Sequence, residues 1–278
     1  MIVAAAADRA CEAAGYFEQL QAEICARLEA LAGGARFEST RWSKPPEHRL
    51  KGGGHMRLMR GPVFEKGGVN VSHVWGRISE AGLAQLPGAE DSGGEFIACG
   101  LSLVIHPANP FVPTVHMNLR YLATSIDWIG GGTDLTPVIP FDEDTAAFHA
   151  TLREACERYR PGAHAEYRDW CDRYFFLPHR NEPRGVGGIF FDNVNGGDWA
   201  RDFAFLRSTG AAFLTAYPGI VERRARTPFG AAERERQLAK RGRYVEFNLV
   251  YDRGTRFGFM TDANPEAYLM SLPPLASW

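Results

Sequence analysis

The chain has 278 residues, of which 45% are hydrophobic, 12% aromatic and 23% charged. This composition is typical of a globular protein and excludes a disordered or low-complexity chain. The formal net charge of −2 argues against a general nucleic-acid or membrane-surface binder, but it leaves room for a local basic pocket.

The cysteines and the apolar runs indicate a reducing compartment and no membrane span. The odd number of cysteines, without a C-x-x-C spacing, predicts neither a disulfide framework nor a zinc ribbon; they are Cys11, Cys25, Cys99, Cys156 and Cys171. The start MIVAAAADRACEAAGY has no basic segment and is interpreted as the start of a helix, not as a signal peptide. The apolar run at 96–105 has about half the length of a bilayer span. We therefore expect a cytoplasmic protein.

The first half of the chain is predicted to form one helix and then a series of strands. Apolar residues at helical spacing predict an amphipathic helix over 5–32, which Gly33 and Gly34 end. From Arg36 to Thr124, short alternating runs separated by Gly and Pro clusters predict strands; they read RFEST, HMRLMRG, GVNVSHVW, FIACGLSLVI and TVHMNLRYLA.

The second half is predicted to be more helical. The predicted elements are two helices in 145–177 broken at Pro161-Gly162, helices over 198–217 and 228–241, and strands over 187–192 and 244–254. The run RFGFMT would pair with the last strand across a turn. Strands joined by short turns, with helices in blocks, predict a single antiparallel α+β domain over 1–278.

Several short motifs in the sequence are only weak evidence of function. The glycine clusters KGGGH, IGGGTD and RGVGG fit no phosphate-binding glycine motif and are interpreted as tight turns, although IGGGTD could bring backbone close to a ligand. The basic segment 222–243 has few aromatic residues and is interpreted as a solvated helix face, not a nucleic-acid surface. The sequence contains no G-x-S-x-G, no H-E-x-x-H and no nicotinamide or flavin fingerprint. An enzyme would therefore rely on acid/base groups, on its substrate or on a metal.

The strongest functional signal is a polar strand face. In VHMNLRY, strand alternation places His116, Asn118 and Arg120 on one side. In GLSLVIHP, Ser102 and His106 share a face, and the short connection makes the two strands antiparallel neighbours. These side chains are short or planar hydrogen-bonding groups, so we predict a ligand-facing sheet. Arg120 indicates an anionic ligand because its guanidinium matches a carboxylate.

These motifs together resemble a known family. GVNVSHVWG, GLSLVIHPANPFVPTVHMNLRY, GGGTDLTP, HRNEPRGVGGIFFD, GRYVEFNLVYDRGTRFG and LMSLPP closely resemble, in order, segments of the oxygen-dependent coproporphyrinogen III oxidases. The match runs from about Arg36 to the C-terminus, and each motif is long.

The resemblance implies a fold, an activity and an assembly. The implied fold is α+β, a single large curved antiparallel sheet of about seven strands flanked by helices on both faces. The implied activity converts two propionates of coproporphyrinogen III to vinyl groups, giving protoporphyrinogen IX in haem synthesis. O2 is the co-substrate and no organic cofactor is used. The implied assembly is a homodimer, to which the strand pair and tail at 244–278 contribute.

The resemblance also implies roles for individual residues. His116 is the implied proton donor, and Asp134 is placed against the pyrrole N–H groups. The implied substrate-binding positions are Ser102, Asn118, Leu119, Arg120, Asp262, Ala263 and Asn264. The implied ligands of a divalent metal are His106, His116, His149 and His179. At 262–264 this chain departs from the Gly-Gly-Arg common in the family, so a guanidinium is absent there.

Two other functions stay open at this point. A metal-dependent oxygenase acting on another polycarboxylate would need tightly bound iron and a compact His/carboxylate motif. A non-catalytic tetrapyrrole-binding protein would bind the ring without consuming O2.

Overall fold

A seven-stranded antiparallel sheet forms the centre of the fold. It is seen in a computed structural model that describes residues 5–84, 86–260 and 264–278. The strands in chain order are β1 (Glu38–Ser43), β2 (Leu50–Met59), β3 (Phe64–Arg77), β4 (Glu95–Pro107), β5 (Thr114–Ala123), β6 (Asp127–Thr136), β7 (Phe176–Leu177), β8 (Glu182–Pro183) and β9 (Gly188–Val194). The order in the sheet is β1-β2-β3-β4-β5-β6-β9, and β7 and β8 form a separate two-stranded ladder. Since β1 and β9 are edges, the large sheet is open.

Helices precede and follow the strands. They are α1 (Ala6–Leu31), α2 (Glu80–Leu83), α3 (Asp142–Tyr159), α4 (Ala163–Tyr174), α5 (Trp199–Arg224), α6 (Ala231–Glu246), α7 (Arg253–Met260) and α8 (Pro265–Leu269), with a π-helical segment (Phe247–Tyr251) after α6. The break between α3 and α4 falls where Pro161-Gly162 predicts it, and Gly162 adopts φ +79°. Within the part of the chain that the structure describes, no helix is long and apolar enough to span a membrane.

The main core lies on one face of the sheet. Leu103, Met117 and Leu119 project from β4 and β5 into this core and are fully buried. They share it with Phe17 of α1 and Phe213 of α5. Burial of these apolar side chains is the main term that holds the helices against the sheet. Alternation along β5 therefore leaves its polar residues on the opposite face.

The C-terminal segment from α8 onward covers part of that opposite face. Met270, directly after α8, lies against Gly68 of β3, and Lys66 Nζ donates to the Leu272 carbonyl at 2.7 Å. Asn70 Nδ2 donates to the Ala267 carbonyl. Helical segments thus pack on both faces of the sheet, and the predicted α+β fold class is confirmed.

The strand predicted over 244–254 is wrong, as is its pairing with RFGFMT. Helix α6 continues into the π-helical segment, and α7 begins at Arg253. Alternation of apolar residues from Tyr244 suggested a strand, but the buried residues follow a helical period across the whole region. Among them are Gln237, Arg241, Tyr244, Phe247 and Asn248, three or four residues apart along the helix or adjacent to such a position. Leu249 and Val250, which are 43% and 49% exposed, lie on the solvent side of this helix.

Two glycine clusters interpreted as turns lie within strands instead. Gly53 lies in β2 and Gly131 in β6, and both face close neighbouring backbone. A Cβ atom would lie 2.1 Å from the Trp42 carbonyl oxygen at Gly53, and 2.4 Å from the Asn118 carbonyl oxygen at Gly131. Glycine is needed there for close strand approach, a purpose that the local sequence does not distinguish from a turn. In the third cluster, Gly185 and Gly187 do lie in the bend before β9, and Gly188 is the first residue of that strand.

Candidate active site

The polar residues of three neighbouring strands meet on one face of the sheet. Antiparallel register places Ser102 of β4 opposite Asn118 of β5. It also places His116 of β5 opposite Asp134 of β6. Because directly opposed residues on one face have Cβ atoms about 5 Å apart, the side chains predicted from separate motifs lie together.

His116 and Asp134 form a hydrogen-bonded pair. The distance from His116 Nδ1 to Asp134 Oδ1 is 2.8 Å. A neutral imidazole in this arrangement donates Nδ1–H to the carboxylate, which leaves Nε2 as a proton acceptor. The His116 side chain is 19% exposed, so it is held in place and remains accessible.

Arg184 lies behind this pair, a position that no pattern in the sequence predicts. Its Nη2 donates to both oxygens of Asp134, at 2.9 and 2.8 Å, and its Nη1 donates to Asn248 Oδ1 at 3.1 Å. The Arg184 side chain is only 2% exposed. Its guanidinium carbon lies 3.9 Å from the ring centroid of Phe175, and Tyr244 and Phe247 pack around it in the same way. A single arginine in a glycine-rich bend carries no local signal of such burial.

The buried ion pair fixes the charge of Asp134. Burial alone would raise the pKa of this carboxyl, but the charge of Arg184 and hydrogen bonds from His116 and Arg184 outweigh it. The net result is a pKa below the ordinary value for aspartate. Asp134 is therefore an anion that orients His116.

Arg120 supplies a cation at the accessible part of the same face. Its Nη1 donates to Asn118 Oδ1 at 2.7 Å, and its Nη2 lies 2.9 Å from Asp192 Oδ1. Gly130 makes room for this ion pair, because a Cβ atom there would lie 2.9 Å from Arg120 Nε and 2.5 Å from Asp192 Oδ1. The Arg120 side chain is 25% exposed. A guanidinium at this position can bind a carboxylate group of a ligand.

The other predicted substrate-binding residues lie in different environments. Ser102 is half-buried on the polar face. The Leu119 side chain is fully buried in the main core, so a ligand could contact only its backbone. Asn264 accepts a hydrogen bond from the Glu266 backbone N–H at 3.1 Å and thereby caps α8. Asp262 and Ala263 lie outside the described residues.

The four histidines predicted as metal ligands are not brought together. His106 is completely buried, and its Nε2 donates to the Ser271 carbonyl at 2.8 Å. His149 Nε2 donates to the Val186 carbonyl, and His179 Nε2 pairs with Glu246. Among the residues that the structure describes, no group of three His, Cys, Asp or Glu side chains could hold a metal ion. The donor set therefore does not fit a divalent metal.

The buried environment of His106 is a further reason why this residue does not suit metal binding. Its ring lies edge-on to Tyr244 with the centroids 5.2 Å apart, and its Nδ1 lies 3.4 Å from Thr114 Oγ1. Burial lowers the pKa of His106 to about 3. Both ring nitrogens already have protein partners, so we interpret His106 as a structural residue.

A hydrogen-bond network runs from Arg184 through Asn248 and Ser271 to His106. Arg184 contacts Asn248, and Asn248 Nδ2 donates to Ser271 Oγ at 3.3 Å. Ser271 in turn accepts from His106 through its carbonyl oxygen. The network ties Asp134 to the C-terminal segment that covers the sheet, so the segment and the site are held as one unit.

The fold and the site define an α+β protein with an open antiparallel sheet, whose polar face carries an oriented imidazole and a partly exposed guanidinium. The sequence model of one family, "Coproporphyrinogen III oxidase", matches residues 12–278, and the chain belongs to this family. Two similar curated proteins are each named "Oxygen-dependent coproporphyrinogen-III oxidase" and come from Rickettsia bellii strains OSU 85-389 and RML369-C. Each is 49% identical over 262 residues, which cover 94% of this chain and 91% of the relative.

Proposed function

We propose that this chain catalyses the oxygen-dependent oxidative decarboxylation of two propionates of coproporphyrinogen III, giving protoporphyrinogen IX. Family membership over residues 12–278 supports this activity. The structural observation that supports this activity most directly is that His116, Asn118 and Arg120 lie on one accessible face of the sheet. Asp134 and Arg184 lie behind them. Such a face suits a ring-shaped, flexible substrate that carries several carboxylates.

The chemistry requires a proton acceptor and an electron acceptor. Each propionate loses CO2, one proton and two electrons when it becomes a vinyl group. O2 takes up the two electrons together with two protons and forms hydrogen peroxide. The tetrapyrrole ring is electron-rich and can donate electrons to O2, so no organic cofactor is needed. The protein's part is to hold the substrate and to move protons.

We assign substrate binding first to Arg120. Its guanidinium can form a charge-assisted, two-point contact with a propionate. Arg120 Nη2 lies 2.9 Å from Asp192 Oδ1, so a bound propionate would compete with Asp192 for the guanidinium. Asn118 and Ser102 lie beside Arg120 and can contribute neutral hydrogen bonds.

We assign proton transfer to His116. Asp134 holds the Nδ1 side of the ring at 2.8 Å, which presents Nε2 to a substrate on the exposed side. This is the usual way in which a carboxylate sets the tautomer and direction of a catalytic histidine. The predicted contact between Asp134 and pyrrole N–H groups would use Oδ2, to which Arg184 donates. Since Asp134 is 2% exposed, we propose that orienting His116 is its first role.

Turnover assays in air and under argon test this function. Purified protein is incubated with coproporphyrinogen III, with and without a metal chelator, and protoporphyrin and CO2 are quantified. We expect product in air and none under argon. A carrier protein would bind the ring but give no product in air. An iron-dependent oxygenase would lose activity with the chelator, whereas we expect the proposed activity to persist.

We also propose a homodimer to which the region 244–278 contributes. The support is a set of exposed apolar side chains in this region: Leu249, Val250, Leu275 and Trp278. Such residues are more common at interfaces than on free surfaces. Sedimentation of wild type and of Leu249→Asp/Val250→Asp tests the proposal. A monomeric wild type, or a variant that stays dimeric, would contradict it.

The cytoplasm is the proposed location. All five cysteines are free thiols, and four of them are buried. Thiols that stay reduced are typical of a reducing compartment. Fractionation of cells that express the natural gene would test this location, and recovery outside the cytoplasm would refute it.

A further inference from the structure

The carboxylate of Asp192 lies between two guanidinium groups at the edge of the polar face. Its Oδ1 is 2.9 Å from Arg120 Nη2, and its Oδ2 is 3.5 Å from Arg253 Nη2. The Asp192 side chain is 14% exposed, whereas the Arg120 and Arg253 side chains are 25% and 57% exposed. This group therefore combines two cations with one anion, and the cations are its more accessible members.

The backbone around Asp192 is shaped to bring this carboxylate to Arg120. Two residues of β9, Asp192 and Asn193, lie opposite the single residue Gly130 of β6, because the register shifts there. Such a bulge redirects a side chain and is common beside active sites. Asn193 adopts φ +53°, which is uncommon outside glycine, and its N–H donates to Asp192 Oδ1 at 3.1 Å. Gly130 leaves the room for the contact, since a Cβ atom there would lie 2.5 Å from Asp192 Oδ1.

Aromatic rings hold both guanidinium groups beside Asp192. Phe190 precedes Asp192 by two residues in β9 and so lies on the same face. Its ring centroid is 5.8 Å from the guanidinium carbon of Arg120 and 5.6 Å from that of Arg253. Tyr174 stacks on Phe190 at 4.3 Å and lies 5.1 Å from the Arg253 guanidinium carbon. Because these ring contacts support the cations, either cation can exchange one carboxylate for another without moving.

We propose that Asp192 is a built-in competitor for the carboxylates of the ligand and thereby speeds release of the product. This inference rests on the oxidase function proposed above, in which Arg120 binds a propionate. The substrate carries four carboxylates and the product still carries two, so the reaction alone does not free the guanidinium groups. When a ligand carboxylate loosens, Asp192 is already tethered within reach and takes its place at a high effective concentration.

A purely positioning role of Asp192 predicts the opposite effect on binding. If Asp192 only held Arg120 in place for the ligand, loss of its charge would weaken binding. The competitor role predicts tighter binding, because no carboxylate must then be displaced from the guanidinium groups. Asp192→Asn separates the two roles: its amide oxygen can still accept from the Asn193 N–H, but the negative charge is gone.

Binding under argon, where no turnover occurs, tests the competitor role. Kd values of the full chain for coproporphyrinogen III and protoporphyrinogen IX are measured for wild type and Asp192→Asn at constant ionic strength. We expect the variant to bind both rings at least about fivefold more tightly, mainly through slower dissociation. In air, its KM should fall while kcat does not rise. Weaker binding by the variant, or a higher KM, would overturn the proposal.

Two further variants separate competition from a general charge effect. Asp8→Asn removes an exposed carboxylate of α1, which packs on the core face of the sheet, and it should leave both Kd values unchanged. In an Arg120→Gln background, Asp192→Asn should tighten binding by less than about twofold, since the main partner of Asp192 is absent. An equal gain in both backgrounds, or a gain with Asp8→Asn, would overturn the proposal.

Failure of the oxidase function gives a different result from failure of the competitor role. Binding of both rings with no product in air would contradict the oxidase function, while the comparison of Kd values would still decide the role of Asp192. A wild type that binds neither ring would overturn both proposals.

Discussion

Asp134 is the residue on which the arrangement of the polar face depends. It receives hydrogen bonds from His116 on the accessible side and from Arg184 on the buried side. A carboxylate this deeply buried would ordinarily favour protonation. The guanidinium of Arg184 reverses that preference, so a buried ion pair sets the position of His116.

Removal of Arg184 should destabilise the protein strongly. In Arg184→Met the anionic Asp134 is left buried without its cation, which costs about 3–5 kcal/mol for a buried pair. The double variant Arg184→Met/Asp134→Asn should recover part of this loss, because no charge remains uncompensated. Urea unfolding measures both. A double variant that is less stable than Arg184→Met would contradict the argument that an uncompensated charge on Asp134 causes the loss.

The unfolding free energy should include a contribution from Asp134 that depends on pH. Its folded-state pKa lies below the ordinary value, so its contribution is present above the unfolded pKa of about 3.9. It is lost as the pH falls through the lower folded value. The difference in unfolding free energy between wild type and Asp134→Asn should therefore shrink over the acidic range below about pH 4. A difference that stays constant over this range would exclude the assigned shift.

Replacement of Arg120 should chiefly weaken substrate binding. A charge-assisted hydrogen bond contributes about 1.5–3 kcal/mol, so Arg120→Gln should lower kcat/KM by about 10- to 100-fold, mostly through KM. Arg27→Gln is a matched control, since Arg27 pairs with Glu222 on the helical side of the main core. Initial rates over a range of substrate concentrations give both constants. A fall in kcat at unchanged KM would remove Arg120 from the binding role.

The sequence predicts most helices and strands, because apolar residues recur at different spacings in the two kinds of element. Alternation along 115–121 and helical spacing over 5–32 correspond to β5 and α1. The prediction fails over 244–254, where alternating apolar residues fit a strand locally. There the contacts of Tyr244 and Phe247 with the distant Arg184 stabilise a helix, and a local pattern contains no information on such contacts.

Two glycines should respond oppositely to alanine. Gly15 lies exposed in the middle of α1, and a Cβ atom added there would have nothing within 4 Å, so Gly15→Ala should stabilise the protein by about 0.5–1 kcal/mol. Gly131 in β6 would place a Cβ atom 2.4 Å from the Asn118 carbonyl oxygen, so Gly131→Ala should destabilise it by about 1–3 kcal/mol. Thermal and urea unfolding measure both. The same sign for both variants would refute the close-approach argument.

Across the whole molecule, the sequence predicts which residues form the polar face, but it does not predict the buried residues that hold this face in place. Ser102, His116, Asn118 and Arg120 follow from strand alternation and a short connection. Arg184 and Asn248 are 50 or more residues distant from Asp134 along the chain, and only the tertiary fold brings them together. The roles assigned to individual residues stay predictions, because they concern a substrate-bound state.

A single-turnover experiment tests whether the tetrapyrrole reacts on this polar face. His116→Gln and wild type are each loaded with coproporphyrinogen III under argon, and binding is measured before rapid mixing with air. We predict that the variant binds substrate within about threefold of wild type, while vinyl formation slows by at least about 100-fold, as expected for a lost acid/base group. Vinyl formation at the wild-type rate in His116→Gln would contradict it.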